Sequence, residues 1–382
     1  MIAEPVVLDA SDLPGHAASW ADGRQVFLPE TLRTAVAESI SPSGVLSLEA
    51  LVAAVRPEDA SALRDRCAFT ARPPLSARLP FSYQRVPEWA RTIAARSVGA
   101  LGRRRLGRPS FPAWPLDVSV DILTDASSSA STGRANSLTP VLLTHDLDSA
   151  EGLSNLVRWF LPLEEAVGAH STSYVVPKKF PLDYGLLDEV AGRGHELGIH
   201  GYDHSNTTSF AGDEERARRI RDGVKMLDRY KVDGYRAPSL LRTRPLLESL
   251  AGTYTYDSSI PTSGGIFPSP HNGCGTVRPY RCVGELAEIP ITLPRDGSMR
   301  FLGFSPQEIL EVWKKAALSA AECPGAVVCL LTHCEERFSG GEVMRRVYED
   351  FLSFLADYRL FRFALARDIA AEVSGGSVDS AR

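Results

Sequence analysis

Val141-Leu142-Leu143-Thr144-His145-Asp146-Leu147-Asp148-Ser149-Ala150 opens as an apolar run too short for a helix, and closes on polar residues that feed an amphipathic stretch. The spacing predicts a strand over 141–144 and a helix over 150–167. The same alternation continues to the end of the chain. Strands are expected at 171–176, 196–200, 232–236, 253–256, 287–293, 326–332 and 361–365. Helices are expected at 184–191, 214–230, 244–250, 306–321, 343–355 and 366–373. Strands alternating with helices over so long a stretch imply parallel βαβ units, and the length suits a (β/α) barrel better than a small open sheet.

Working outward, residues 1–124 read as an accessory, mainly helical region. Helices are expected at 32–40, at 46–67 with Ser43 as cap and a break at Pro57, and at 87–106. Residues 125–138 are rich in Ser and Ala with no apolar periodicity, the signature of a linker or long loop. The barrel spans 139–375, and 376–382 is a flexible tail. Arg103, Arg104, Arg105 and Arg108, with Trp114, form a basic run whose plain reading is a solvated helix end. Phe111-Pro112-Ala113-Trp114-Pro115 suggests that the N-terminal region ends by packing on the barrel.

The chain has 382 residues, 44% hydrophobic and 23% charged, which excludes fibrous and disordered classes. Its 47 acidic against 42 basic residues give a formal charge of −5, contrary to general nucleic-acid binding. The start Met1-Ile2-Ala3-Glu4-Pro5 carries an acid where a signal peptide needs basic residues, and no run reaches the ~18 apolar residues of a membrane span. A cytoplasmic protein without stable membrane insertion is expected. The 6 cysteines are irregularly spaced and expected as free thiols, with Cys274–Cys282 the one pair spaced to bridge a loop.

In a parallel barrel the side chains that do chemistry sit at the C-terminal strand ends. There this sequence places Asp146 and Asp148, His200 and His204, Arg236, and His333. Two nearby carboxylates repel unless a cation or proton lies between them, although Asp148 also stands where a helix N-cap would. Two histidines at i and i+4 share one face of a helical turn and can share a metal. His195, at the start of its strand, is expected at the opposite, structural end. Each signal has a plain alternative; their placement at matching strand ends joins them.

Taken in order, Thr144-His145-Asp146-Leu147-Asp148, Gly194-His195-Glu196-Leu197-Gly198-Ile199-His200 with His204, Arg236-Ala237-Pro238 and Leu331-Thr332-His333 resemble the polysaccharide deacetylase family, the NodB-homology or carbohydrate esterase 4 group, over about residues 139–375. The resemblance implies a deformed (β/α) barrel. It implies a divalent metal, most often zinc, and hydrolysis of N-acetyl groups on amino sugars. By position it makes Asp146 the general base, Asp148, His200 and His204 the metal ligands, Arg236 the residue that orients the base, and His333 the general acid. An acetylated amino sugar or related small molecule is the implied substrate, and acetate and a free amine are the products.

The sequence departs from the family pattern in three places. Leu147 separates aspartates that are usually adjacent, Ser239-Leu240 replaces the usual Tyr-Gly, and no groove tryptophan stands near Asp257-Ser258-Ser259. The metal set survives these changes, but the substrate is left open. Two alternatives follow: allantoinase-like hydrolysis of a cyclic or non-sugar amide, and a catalytically silent sugar-binding barrel. Asp257 and Glu335 are equal candidates to partner His333.

Overall fold

The computed structural model describes residues 6–10, 23, 25–26, 28, 30–69, 73–74, 77, 86–103, 116–127, 138–263 and 273–375. Among the described residues twelve strands fall in two sheets: β1 (Val6–Asp9), β2 (Gln25–Val26), β3 (Val45–Ser47), β4 (Thr139–Leu147), β5 (Thr172–Val175), β6 (Glu196–His200), β7 (Gly234–Arg236), β8 (Tyr256–Asp257), β9 (Tyr280–Val283), β10 (Leu286–Glu288), β11 (Val328–His333) and β12 (Phe361–Phe363). The larger sheet has 9 strands in the order β11-β4-β5-β6-β7-β8-β10-β9, with β12 pairing the start of β4. Every pairing in it is parallel except the β9–β10 hairpin.

Strands covered on both faces need apolar residues at consecutive positions. β4 is buried from Val141 to Leu147, and β11 from Val328 to Thr332. The sheet curls round an interior filled by Leu142, Tyr174, Tyr256, Ile289, Cys329 and Leu331, and the helix Ala366–Gly375 contributes Ala366, Ile369 and Ala370 to the same cluster. The outer face packs against surrounding helices, among them Pro306–Ala321, whose Trp313 is fully buried and donates to the Pro294 carbonyl at 2.7 Å. The result is the (β/α) barrel that the alternation predicts, deformed as the resemblance implies.

The N-terminal region holds more strand than expected. β2, β1 and β3 form a 3-stranded sheet, β1 and β3 parallel. Leu46 lies in β3 rather than in a helix, and the helix Leu48–Ala54 starts after Ser47, not at a Ser43 cap. The helix Pro57–Ala68 follows, so the break at Pro57 is where the proline sets it. Residues 125–127 end the helix Ser119–Ser127, while 128–137 and 376–382 lie outside the described residues, as do Arg104, Arg105, Arg108 and the 111–115 segment. That helix is tied to the barrel: Asp121 accepts from the Thr276 hydroxyl and the Val277 N–H at 2.6 and 2.9 Å, and Asp125 receives both ends of the Arg278 guanidinium at 2.7 and 2.8 Å. Cys274, Cys282, Cys323, Cys329 and Cys334 are free thiols. Among the described residues no helix is long and apolar enough to cross a membrane.

One buried pair makes stability depend on pH. Glu288 and Asp257 stand in register on β10 and β8, both fully buried. Burial, and then the neighbouring Asp257, push the Glu288 carboxyl well above its usual range. A raised carboxyl stabilises the fold fully below its unfolded value, and the contribution is lost as pH rises through the folded value. Glu288→Gln keeps a donor towards Asp257 without the ionisation. It is expected to melt higher than the parent at pH 9, by about 1–3 kcal/mol, with little difference at pH 4. Equal melting curves at pH 9 would show that the two carboxyls ionise freely.

Candidate metal centre and active site

Side chains two apart on a strand share a face, and in-register partners on neighbouring strands share it too. His333 of β11 is opposite Asp146 of β4. Asp146 is opposite Tyr174 of β5, and Tyr174 is opposite Gly198 of β6. His200 lies two residues past Gly198 and is opposite Arg236 of β7. Register and alternation alone therefore deliver His333, Asp146, His200 and Arg236 to one interior face at the C-terminal strand ends. The intervening positions go elsewhere. His145 points outward to Thr332 Oγ1 and Glu164 Oε1 at 2.9 and 2.8 Å, and His195 is bound by Ser171 at the far end.

Gly198 makes room for this face. A Cβ there would lie 2.6 Å from the Tyr174 ring, which in turn sits 4.0 Å beneath the Arg236 guanidinium. Arg236 is fully buried, and its other edge is fixed by the Ser258 carbonyl at 2.8 Å and the Ser258 hydroxyl at 2.9 Å. From that anchored position Nη1 donates to Asp146 Oδ1 at 3.1 Å and to Thr144 Oγ1 at 2.9 Å. Burial alone would raise the Asp146 carboxyl. The charges of His200, Arg236 and His333 outweigh it and hold Asp146 below its usual range.

Asp148, His200 and His204 can each offer one ligand atom, all within 4.8 Å of one another. His200 Nδ1 faces the Arg236 carbonyl at 3.0 Å, so it carries the proton and Nε2 keeps its lone pair. Burial lowers the ring to about 4, leaving it neutral at physiological pH. His204 Nε2 lies 3.0 Å from Asp148 Oδ1, a buried oxygen that accepts no hydrogen bond. Two imidazoles and a buried carboxylate oxygen converging in this way fit a divalent metal. The i, i+4 pair does not lie on a helical turn, as its spacing suggested. His200 ends a strand, and His204 sits in a turn at φ 57, a left-handed conformation costly for a histidine. That turn is braced by Asp203, which accepts from the Ser205 N–H at 2.9 Å and from Arg219 at 3.0 Å. Asp148 is not the helix cap either. Ser149 is, accepting from the Gly152 N–H at 3.1 Å.

His333 is partnered by neither Asp257 nor Glu335. Its Nδ1 donates to Asp296 Oδ1 at 2.8 Å, and its backbone N–H and the Ser339 hydroxyl both donate to Asp296 Oδ2 at 2.8 Å. Burial disfavours the charged ring, but the fully buried Asp296 carboxylate prevails and raises His333 to about 9. Glu335 serves the other wall: Oε1 accepts from the Asp148 N–H at 3.1 Å and the Ser149 hydroxyl at 2.8 Å. Burial and the adjacent Asp148 push Glu335 up to about 7. Asp296 is the residue that sequence reasoning missed; it opens the short helix Asp296–Phe301, which no apolar periodicity announced.

Asp146, Asp148, His200, His204 and His333 line one pocket of about 400 Å³. Its outer wall comes from the N-terminal region: Arg91, Thr92, Ala94 and Ala95 of the helix Glu88–Arg103. The helix seats itself through Gly99, where a Cβ would fall 1.9 Å from the Phe301 carbonyl oxygen, and through Arg103, paired with Glu308 at 2.8 Å.

No protein-family model and no curated protein sequence matches the chain. Solved structures do. The chain is similar to a candidate polysaccharide deacetylase from Mycobacterium smegmatis, at 19% identity over 65% of this chain and 94% of that one, with a TM-score of 0.52. It is similar to a probable polysaccharide deacetylase from Pseudomonas aeruginosa PAO1 at 15% identity over 68% and 97% of the two chains, TM-score 0.50. It is similar also to Puue allantoinase, at 15% identity over 69% of this chain and 98% of that one, with a TM-score of 0.50. Likeness at these identities speaks to fold, and a shared fold hosts more than one chemistry. With the curled parallel sheet and the strand-end geometry above, it establishes that this chain has the NodB-homology, carbohydrate esterase 4-like fold of the polysaccharide deacetylases.

Proposed function

We propose that the protein is a metal-dependent N-deacetylase acting on a small substrate that contains an acetylated amino sugar. The observation that carries this reading is the joint placement, in one pocket, of a divalent-metal donor set, a carboxylate held ionised and a histidine held protonated. Asp148, His200 and His204 would hold the metal, zinc by the softness of its two imidazole donors. Bound there, it would polarise the amide carbonyl and acidify water.

The chain's own groups do the rest. Asp146, kept ionised and aimed by Arg236, takes the proton from the attacking water. His333, kept charged by Asp296, donates to the nitrogen as the C–N bond breaks. Acetate and an amine leave. Each proton transfer is of the kind worth 10²–10⁴ in rate, by order of magnitude.

The wall made by residues 91–95 gives the pocket the size of a small-molecule site, in the range of roughly 300–1,000 Å³, rather than of a polymer groove. That same wall favours a second reading, hydrolysis of a small cyclic or non-sugar amide. Acetate release against ring opening on a panel of substrates separates the two.

Elemental analysis tests the common core of both. The purified protein is expected to carry about one equivalent of a divalent metal, and His200→Ala to lose it with at least a ~100-fold fall in affinity. A protein that takes up no metal after supplementation would overturn the reading.

A further inference from the structure

Four cationic side chains from separate segments gather round this pocket. Arg91, Arg295 and Arg337 line it, coming from the helix Glu88–Arg103, the segment before the helix Asp296–Phe301, and the loop after β11. Lys179, past the end of β5, puts Nζ 3.7 Å from Asp148 Oδ2.

The guanidinium groups are also held. Arg295 Nε donates to Ser298 Oγ at 2.8 Å, Arg91 Nε donates to the Val86 carbonyl at 3.0 Å, and the Arg337 guanidinium lies 4.7 Å from the Phe338 ring centroid. Such anchoring lowers the entropy lost when a ligand is gripped.

The charge balance points the same way. Asp146 and Asp148 are the ionised acids of the lining, and a bound dication would offset both. Protonated His333 is balanced by the Asp296 carboxylate at 2.8 Å, so it is the three arginines and Lys179 that leave the pocket positive, in a chain whose formal net charge is −5. A neutral acetylated sugar has no use for such a rim, whereas planar guanidinium groups match phosphate and carboxylate.

We propose that the pocket selects an anionic substrate, an acetylated amino sugar bearing a phosphate or carboxylate that Arg91, Arg295 and Arg337 hold while the amide faces Asp148, His200 and His204. The inference rests on the deacetylase reading for the identity of the reacting group. It also gives the N-terminal region a role, since Arg91 comes from there.

Calorimetric binding to the metal-supplemented full chain tests it, with N-acetylglucosamine, N-acetylglucosamine 1-phosphate and N-acetylmuramic acid as probes. The better anionic sugar is expected to bind at least ~10-fold more tightly than the neutral one, with a preference that shrinks as salt is raised. In Arg337→Gln, and separately in Arg91→Gln, the ratio of anionic to neutral affinity should fall towards one. Melting curves identify any variant that has lost its fold, and the other variant then carries the comparison. Whichever anionic sugar binds more tightly assigns phosphate or carboxylate. Equal affinity for all three sugars, or binding of none, overturns the proposal. Tight binding of an anionic sugar without acetate release supports the anion site and removes the deacetylase reading. Acetate release equally fast from neutral and anionic sugars keeps that reading and removes the anion site.

Discussion

Asp146→Asn is expected to lower turnover by about 10²–10⁴ while leaving the metal content of the protein unchanged. The asparagine has the size of the aspartate and can still accept from Arg236 Nη1, so the buried guanidinium keeps a partner. What it loses is the ability to take a proton. Asp146 is suited to that task because its environment divides: Arg236 grips Oδ1 at 3.1 Å, while Oδ2 lies 3.4 Å from His200 Nε2, towards the donor set. Acetate release followed beside elemental analysis reads both halves of the prediction. Turnover within a few-fold of the parent would remove Asp146 as the base. Loss of the metal together with activity would instead make Asp146 a ligand, since it stands closer to His200 than Asp148 does, 3.4 against 3.7 Å.

What could be read in the sequence divides along a physical line. Side chains at the ends of long apolar strands announce themselves, because the strand is legible and the fold sends its ends to one place. Asp146, Asp148, His200 and His333 are of this kind, whereas Arg236 ends a strand of only three residues. Elements of two to four residues carry too little pattern, so β1, β2 and β3 were hidden, and Leu46, Leu48 and Leu51 fit a helix as well as a strand followed by a helix. His204 shows the limit of spacing as a guide: i and i+4 brought the two rings within 5.1 Å of each other, but through a left-handed turn rather than a helix. Contacts between distant segments left no trace at all. Nothing local relates Arg91 to Arg337, or Asp296 to His333, and each pairing exists only because the chain returns to the same strand ends.

Asp296→Asn carries the second large effect, on the pH dependence of the same reaction. The carboxylate accepts from His333 Nδ1 and Gly297 N–H through one oxygen and from His333 N–H and the Ser339 hydroxyl through the other, so four donors converge on it. An amide can meet only half of them with an acceptor, and its NH₂ would face a donor. The other acids that act on the His333 ring are Asp146, Asp148 and Glu335, with Phe338 packed 4.8 Å from it. Of these, Asp296 is the largest influence favouring the charged ring and the one that touches it. The sign follows: a raised histidine stays charged until pH passes its folded value, so activity that needs the acid form is kept through neutrality and lost near 9. Without Asp296 the ring should fall towards its ordinary ~6.5. At pH 8 the charged fraction would then drop about 30-fold, and kcat/KM with it. A bound dication lowers both limbs together, and the difference between parent and variant remains the measured quantity. The check is a profile of kcat/KM from pH 6 to 10 for both proteins. An alkaline limb that moves down by about two units or more places the proton on His333 under the control of Asp296. Superimposed limbs would mean that some other group supplies the acid.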